Sequence, residues 1–204
     1  MLEKFILLVK EKLPSIGDKL SDLSGYAAVR VPLDRASGPN EVTLDLPGYA
    51  QVNSFCCGVV AGVMVLKHFR PSASFSRFYD RVNPKENFGA GTGKIARALR
   101  ESGLRVKVRS GLIFDDLCAA IDDRSPIMVN VHNPGAEDDH WVVVYGYGRE
   151  PNRVFIATNG MPVFKRNAIP LRKFARMWSP HGNGLVCERA RPSARRAGRR
   201  SARK

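Results

Sequence analysis

No apolar run in this chain has the length of a membrane-spanning helix, which takes about 20 predominantly apolar residues. The longest run near the N-terminus is FILLV, residues 5 to 9, flanked by Glu3, Lys4 and Lys10. It is too short for the apolar stretch of a secretory signal, and no small-residue cleavage site follows. Cysteine is sparse too. The four, at positions 56, 57, 118 and 187, form no C-x-x-C pair and no repeated spacing. That pattern argues against a disulfide framework and fits free thiols in a reducing compartment. The expected location is cytoplasmic. Adjacent Cys56 and Cys57 are not expected to bridge each other, because the peptide between them would be strained.

Acid is the third scarcity. Nineteen Asp and Glu stand against 33 Lys and Arg in 204 residues, a net charge of +14. The imbalance is uneven. The segment 189-RARPSARRAGRRSARK-204 holds eight Lys/Arg and no acid, so the rest carries about +6. Such a composition cannot build a core and is expected to be disordered. It suits weak attraction to nucleic acid or an acidic surface, and equally a solvated extension with no fixed partner. The body shows no interleaved aromatic platform for nucleic acid.

Two ligand motifs are also missing. The stretch 88-FGAGTGKI-95 resembles a phosphate loop, but Phe88 stands at the first glycine position and Ile95 where Ser or Thr should follow the lysine. Cys56, Cys57, Cys118 and His140 have no chelating spacing, so a zinc site is not expected. No cofactor is implied.

What is present reads as one α+β domain. Residues 2–13 suggest a short amphipathic helix ended by Pro14, with a second piece at 17–23. Residues 27–47 look extended, with a Ser-Gly-Pro-Asn turn. A helix over 57–69 is apolar nearly all round, which marks it as central and buried. Gly58 and Gly62 within it point to close approach by another group. Residues 72–91 read as a surface segment. Further helices are expected at 92–103, capped by Thr92 and stopped by Gly103, and at 114–123. Strands are expected at 104–111, 126–132, 140–148 and 153–160, the last three as an antiparallel meander. The layout is an N-terminal helical extension (1–26), the domain (27–188) and the basic tail (189–204).

The chemistry concentrates at 51-QVNSFCCGVVAGVMVLKHF-69. A helix N-terminus beside an imidazole makes a thiol reactive by stabilising its thiolate. Cys57 stands at such a start. Gln51, six positions upstream, offers an amide to a developing oxyanion, and the Cys57 main-chain N–H offers a second donor. The base should be a histidine. His68 is roughly 16 Å further along the same helix, and His181 falls in a glycine-rich loop. His132 and His140 bound the loop 133–139. His140 is the better candidate because it opens the strongest apolar strand, WVVVYGYG. Glu137, Asp138 and Asp139 precede it, and their charge would favour the imidazolium. Asn159, at the end of the next strand, can accept the ring's other N–H. Taken singly, a buried cysteine or a histidine at a strand end is more often structural. The ordered set is much rarer by chance.

These residues also carry a resemblance. The stretch 50–69, then 91-GTGKIARALRESGLRVKV-108, 115-DDLCAAIDDRSPIMVNV-131 and 140-HWVVVYGY-147, resembles the bacteriocin-leader peptidases, papain-like cysteine peptidases that cut after a double glycine. The likeness spans about residues 45 to 165. It implies a papain-like fold, a helical lobe with a central nucleophile helix packed on an antiparallel sheet, and a peptide or protein substrate. It implies Cys57 as nucleophile and His140 as base. Cys56 falls where the family commonly has an aspartate. The family's closing Asp-Pro falls on Thr158 and Asn159. A one-residue shift makes Asn159 the orienting group, as asparagine is in the papain branch. The rival reading is a peptidase-fold binding module, weak or inactive as a catalyst, with the Arg-rich tail as its tether.

Overall fold

The computed structural model describes residues 28–51, 53–86, 88–132, 139–158, 167–178 and 182–190. The helices expected in residues 2–13 and 17–23, the loop acids Glu137 and Asp138, Asn159, His181 and residues 191–204 of the basic segment lie outside them.

Strands β1 (Ala28–Val31) and β3 (Gly48–Gln51) pair antiparallel as a two-stranded ribbon. Between them β2 (Glu41–Thr43) leaves the ribbon and joins the main sheet. Three helices follow: α1 (Cys57–Phe69), α2 (Phe75–Val82) and α3 (Thr92–Glu101). Then come β4 (Leu104–Arg109), α4 (Phe114–Asp122), β5 (Ile127–His132), β6 (Asp139–Gly148), β7 (Arg153–Ala157), β8 (Ala168–Pro170), α5 (Leu171–Met177) and β9 (Gly184–Arg189). The main sheet has seven strands in the order β4-β9-β5-β6-β7-β8, with β2 also on β6. Every pairing is antiparallel.

The expected α+β class and the β5–β7 meander are present. Strand β9 adds what the meander did not foresee, since it inserts between β4 and β5. It also runs through Arg189, the first residue of the segment read as a tail. Residues 72–91 are more than a surface segment. Helix α2 buries Phe75, Phe78 and Val82 along one side, and the Ser74 hydroxyl caps it by accepting from the Arg77 main-chain N–H. Thr92 does not cap α3; Gly91 takes the cap position and Thr92 opens the helix.

Helix α1 is the hub. Its residues from Cys57 through Leu66 are all buried. It packs on one face of the sheet, against Met128, Trp141, Val143 and Tyr145. The alternate residues Ile127, Val129, Val142, Val144 and Ile156 face the other way, onto Leu117 of α4 and Phe174 and Met177 of α5. Helices therefore cover both faces. The continuous apolar run of β6 follows from this, because a strand buried on both sides has no polar face to alternate.

Two glycines set how closely α1 sits. A Cβ on Gly58 would lie 2.6 Å from Ile95 Cδ1 and 3.1 Å from Trp141 Cδ1. A Cβ on Gly62 would lie 2.6 Å from Cε1 of Phe78. The aromatic ring of α2 thus rests directly on the α1 backbone. Alanine is favoured over glycine in a helix by about 1 kcal/mol, whereas forcing an extra methyl into a packed core costs about 1–3 kcal/mol. Gly62→Ala is expected to lower stability by about 1 kcal/mol net, as overpacking exceeds propensity. Urea denaturation measures it, and a rise in stability would show that Phe78 yields freely.

Candidate active site

Cys57 is the first residue of α1, and Cys56 takes the cap position before it. The adjacent thiols differ in environment. Cys56 is 0 % exposed and Cys57 8 %. The Cys56 thiol is pushed up from its ordinary pKa by burial, against hydrogen bonds from the side chains of Asn53 and Tyr79 that partly offset it. A buried thiol held as the neutral form is a poor nucleophile. Cys56 is thus a packed, tethered side chain beside the residue of interest.

Helix α1 packs against both β3, which ends in Gln51, and β6, which carries His140 near its start. The link to β6 is direct at the N-terminal end of α1. Gly58, next after Cys57, lies against the indole of Trp141, next after His140. Without a side chain at 58 the helix backbone lies directly against that indole and the end of Ile95. Gln51 is half-buried, and its Oε1 is buried with no hydrogen-bond partner. An unmet buried polar atom costs about 1–3 kcal/mol. Amide oxygen and nitrogen exchange places by a flip of the group, so the same position can present an N–H donor.

The His140 ring is partly buried, and its Nε2 lies 3.1 Å from the Thr158 carbonyl oxygen. A carbonyl has no proton to give, so Nε2 must carry the hydrogen. In the neutral ring Nδ1 is then the basic nitrogen. The orienting acceptor among the described residues is a main-chain carbonyl just past the end of β7. Sequence reasoning, which looks for side chains, assigned that role to Asn159 or to Thr158 as a residue type. No residue identity signals a peptide carbonyl.

Of the three acids expected near His140, only Asp139 lies among the described residues, and it turns elsewhere. Asp139 precedes it in the strand, and its carboxylate lies 3.5 Å from Nδ1 of His132 instead. Successive strand residues point to opposite faces, which accounts for the divergence. Burial pushes the His140 pKa below its ordinary 6.5, and the hydrogen bond to the Thr158 carbonyl opposes this in part. The ring is therefore neutral at pH 7.

His68, set aside on distance, sits at the other end of α1 with Nδ1 3.0 Å from the Asp45 carbonyl. Cys118 packs elsewhere, with Ile121 and Tyr147. Among the described residues no three His, Cys, Asp or Glu side chains converge as a metal site. Sequence reading passed over Asn130. It stands opposite Trp141 in the β5–β6 register, and its Oδ1 is buried with no partner.

A central helix opening on a cysteine, laid on an antiparallel sheet that carries the histidine, is the papain-like arrangement. Residues 43–186 match the Peptidase C39-like family, and the chain belongs to that family. No curated protein sequence matches it. Solved structures share the fold, among them the following three. A C39-like peptidase from Bacillus anthracis superposes with a TM-score of 0.60 at 14% identity, over 74% of this chain and 99% of that one. The peptidase domain of Streptococcus ComA, a bifunctional ABC transporter of a quorum-sensing pathway, gives 0.55 at 20% identity, over 69% and 96%. A double-glycine-motif protease from an AMS/PCAT transporter, solved with its leader peptide, gives 0.54 at 17%, over 79% and 99%. Among the described residues no helix is long and apolar enough to cross a membrane.

The lowered His140 pKa has a consequence for stability. In the unfolded chain the ring takes up its proton near 6.5, before the folded ring does. Stability is therefore greatest above 6.5, falls as the pH drops from there toward the lowered folded value, and levels off below it. His140→Gln should remove this part. Urea midpoints at pH 7.5 and 5.0 should fall further on acidification in the native protein than in the variant, and an equal fall would refute the assignment.

Proposed function

We propose that the chain is a cysteine peptidase acting through Cys57. The observation that carries this reading is the placement of Cys57 at the first residue of a buried helix whose next residue, Gly58, rests on Trp141 beside His140. Membership of the peptidase family supports it.

In this reading Nδ1 of His140 takes the Cys57 proton, and the thiolate attacks the carbonyl carbon of a peptide bond. The tetrahedral oxyanion is met by the Gln51 amide and the main-chain N–H of Cys57. His140 then returns the proton to the leaving amine, which departs as a new N-terminus. A thioester on Cys57 remains. Water, deprotonated by His140, attacks it and releases the new carboxyl group with the thiol restored. A ring kept neutral by burial is already in the form this first step needs. The Thr158 carbonyl holds Nε2–H throughout and aims the ring. Asn159, the next residue, stands as a second orienting group, in a role this carbonyl is chemically able to fill. The substrate is a peptide, as in the leader-peptide complex of the AMS/PCAT protease.

A peptidyl thiol-reactive probe tests the nucleophile. Cys57→Ala should abolish labelling and Cys56→Ala should spare it; labelling that survives Cys57→Ala sinks the assignment. His140→Ala should slow labelling by about 10²–10⁴, the usual worth of a positioned base. Asn159→Ala should stay within about tenfold of the native rate, the worth of one hydrogen bond, because the Thr158 carbonyl remains. A loss as large as that of His140→Ala would instead give the orienting role to the Asn159 side chain.

A further inference from the structure

At the opposite end of α1 from Cys57 lies a cleft of about 380 Å³ between the end of α1, the start of α2 and the end of α3. Arg70, Arg77 and Arg81 line it, with Ser74, Ser102 and the single acid Glu101. Arg70 is thirteen residues beyond Cys57, roughly 19 Å at 1.5 Å per residue. The cleft is thus separate from the candidate active site, and nothing about it depends on Cys57 being a nucleophile.

The three guanidinium groups gather against a single acid, Glu101. Among the described residues none of them forms an ion pair, and Glu101 forms none either. Arg77 and Arg81 are four apart on one helix, a spacing at which like charges repel. Two of the three are nevertheless anchored, and on the same residue. Arg70 Nη1 donates to the Ser102 carbonyl, and Arg81 Nη1 donates to the Ser102 hydroxyl at 2.7 Å. That hydroxyl in turn donates to the Ala98 carbonyl at 2.7 Å. Ser102 is itself buried, 6 % exposed. Each anchor uses one N–H of a group that has five, so most donors of Arg70 and Arg81 remain, and all of those on Arg77. The capped first turn of α2, with Ser74 accepting from the Arg77 main-chain N–H, adds its positive end to the same concavity.

We propose that this cleft is a binding site for a phosphate-bearing ligand. Three guanidinium forks exceed what one carboxylate offers, with two oxygens and a single charge. A phosphoryl group brings about −1.5 to −2 charges and three acceptor oxygens, and arginine forks match it bidentately. An anion held there offsets the mutual repulsion of the three cations. The fixed carbonyl and hydroxyl of Ser102 hold two of the forks in position before it arrives.

Inorganic pyrophosphate and phosphate are the probes, titrated into the full chain at an ionic strength held constant with chloride. The native protein should show saturable binding by calorimetry and a raised unfolding midpoint relative to chloride. Arg77 has no side-chain bond among the described residues, so Arg77→Ala should fold normally. It should weaken binding by about tenfold, the worth of one charge-assisted hydrogen bond. Arg97→Ala, which removes an exposed arginine of α3 that does not line the cleft, should leave binding unchanged. It controls for the basic segment 191–204, which all these proteins retain. Absence of saturable binding overturns the proposal. So does equal binding by native protein and Arg77→Ala, which would place the anion on the tail. Probe labelling at Cys57 should be the same in every variant.

Discussion

The close seating of α1 on the sheet governs most of this molecule. A helix with no polar face must be enclosed, and enclosure needs neighbours on every side. The sheet supplies one, α2 and α3 supply others, and β3 runs beside it. Glycine at 58 and 62 brings Trp141, Ile95 and Phe78 against the helix backbone. The same seating that buries the apolar residues also brings the start of α1 against the start of β6. Burial of the core and assembly of the candidate site are thus one event. A change that loosens the helix loosens both.

Within that frame the two ends of α1 present opposite problems. At the N-terminal end the polar groups are few and largely buried: a glutamine amide oxygen with no partner, an imidazole tied to a peptide carbonyl, and two adjacent thiols. Burial there makes each proton position matter, because an unpaired polar hydrogen or lone pair is costly away from solvent. At the C-terminal end the surface is open and the charge unbalanced. Two of its three arginines are held by one serine.

Much of this was legible in the sequence, and the parts that were share a property. Helix α1 and strands β5, β6 and β7 announce themselves through runs of apolar residues whose pattern is local. Cys57, His140 and Gln51 could be named as candidates because each is a residue type with its own chemistry, at a helix start, near a strand start and at a strand end. Helix α2 was hidden because Arg77, Asp80 and Arg81 interrupt a stripe of only three apolar residues. Its signal was Ser74 standing before Phe75, Phe78 and Val82. The burial of both sheet faces was written in the unbroken Val142–Val144 run, though not which helices cover them. The place of β9 was beyond reach, since GLVCER specifies a strand but not its partners. The Thr158 carbonyl was beyond reach for a deeper reason: every residue has one, so only the path of the chain makes it special.

The insertion of β9 also orders events in time. Strand β4 has β9 as its neighbour in the main sheet, and β9 is made some 75 residues later. As the chain emerges from the ribosome at about 5–20 residues per second, β4 and α3 must wait several seconds before their sheet can close. Until then the apolar side of β4, with Leu104 and Val106, has no sheet partner to complete its burial. The nascent protein therefore passes through a stage in which most helices exist but one sheet edge is open. Chaperone capture or mispairing would be concentrated in that interval, and it ends only when Leu185 and Cys187 dock.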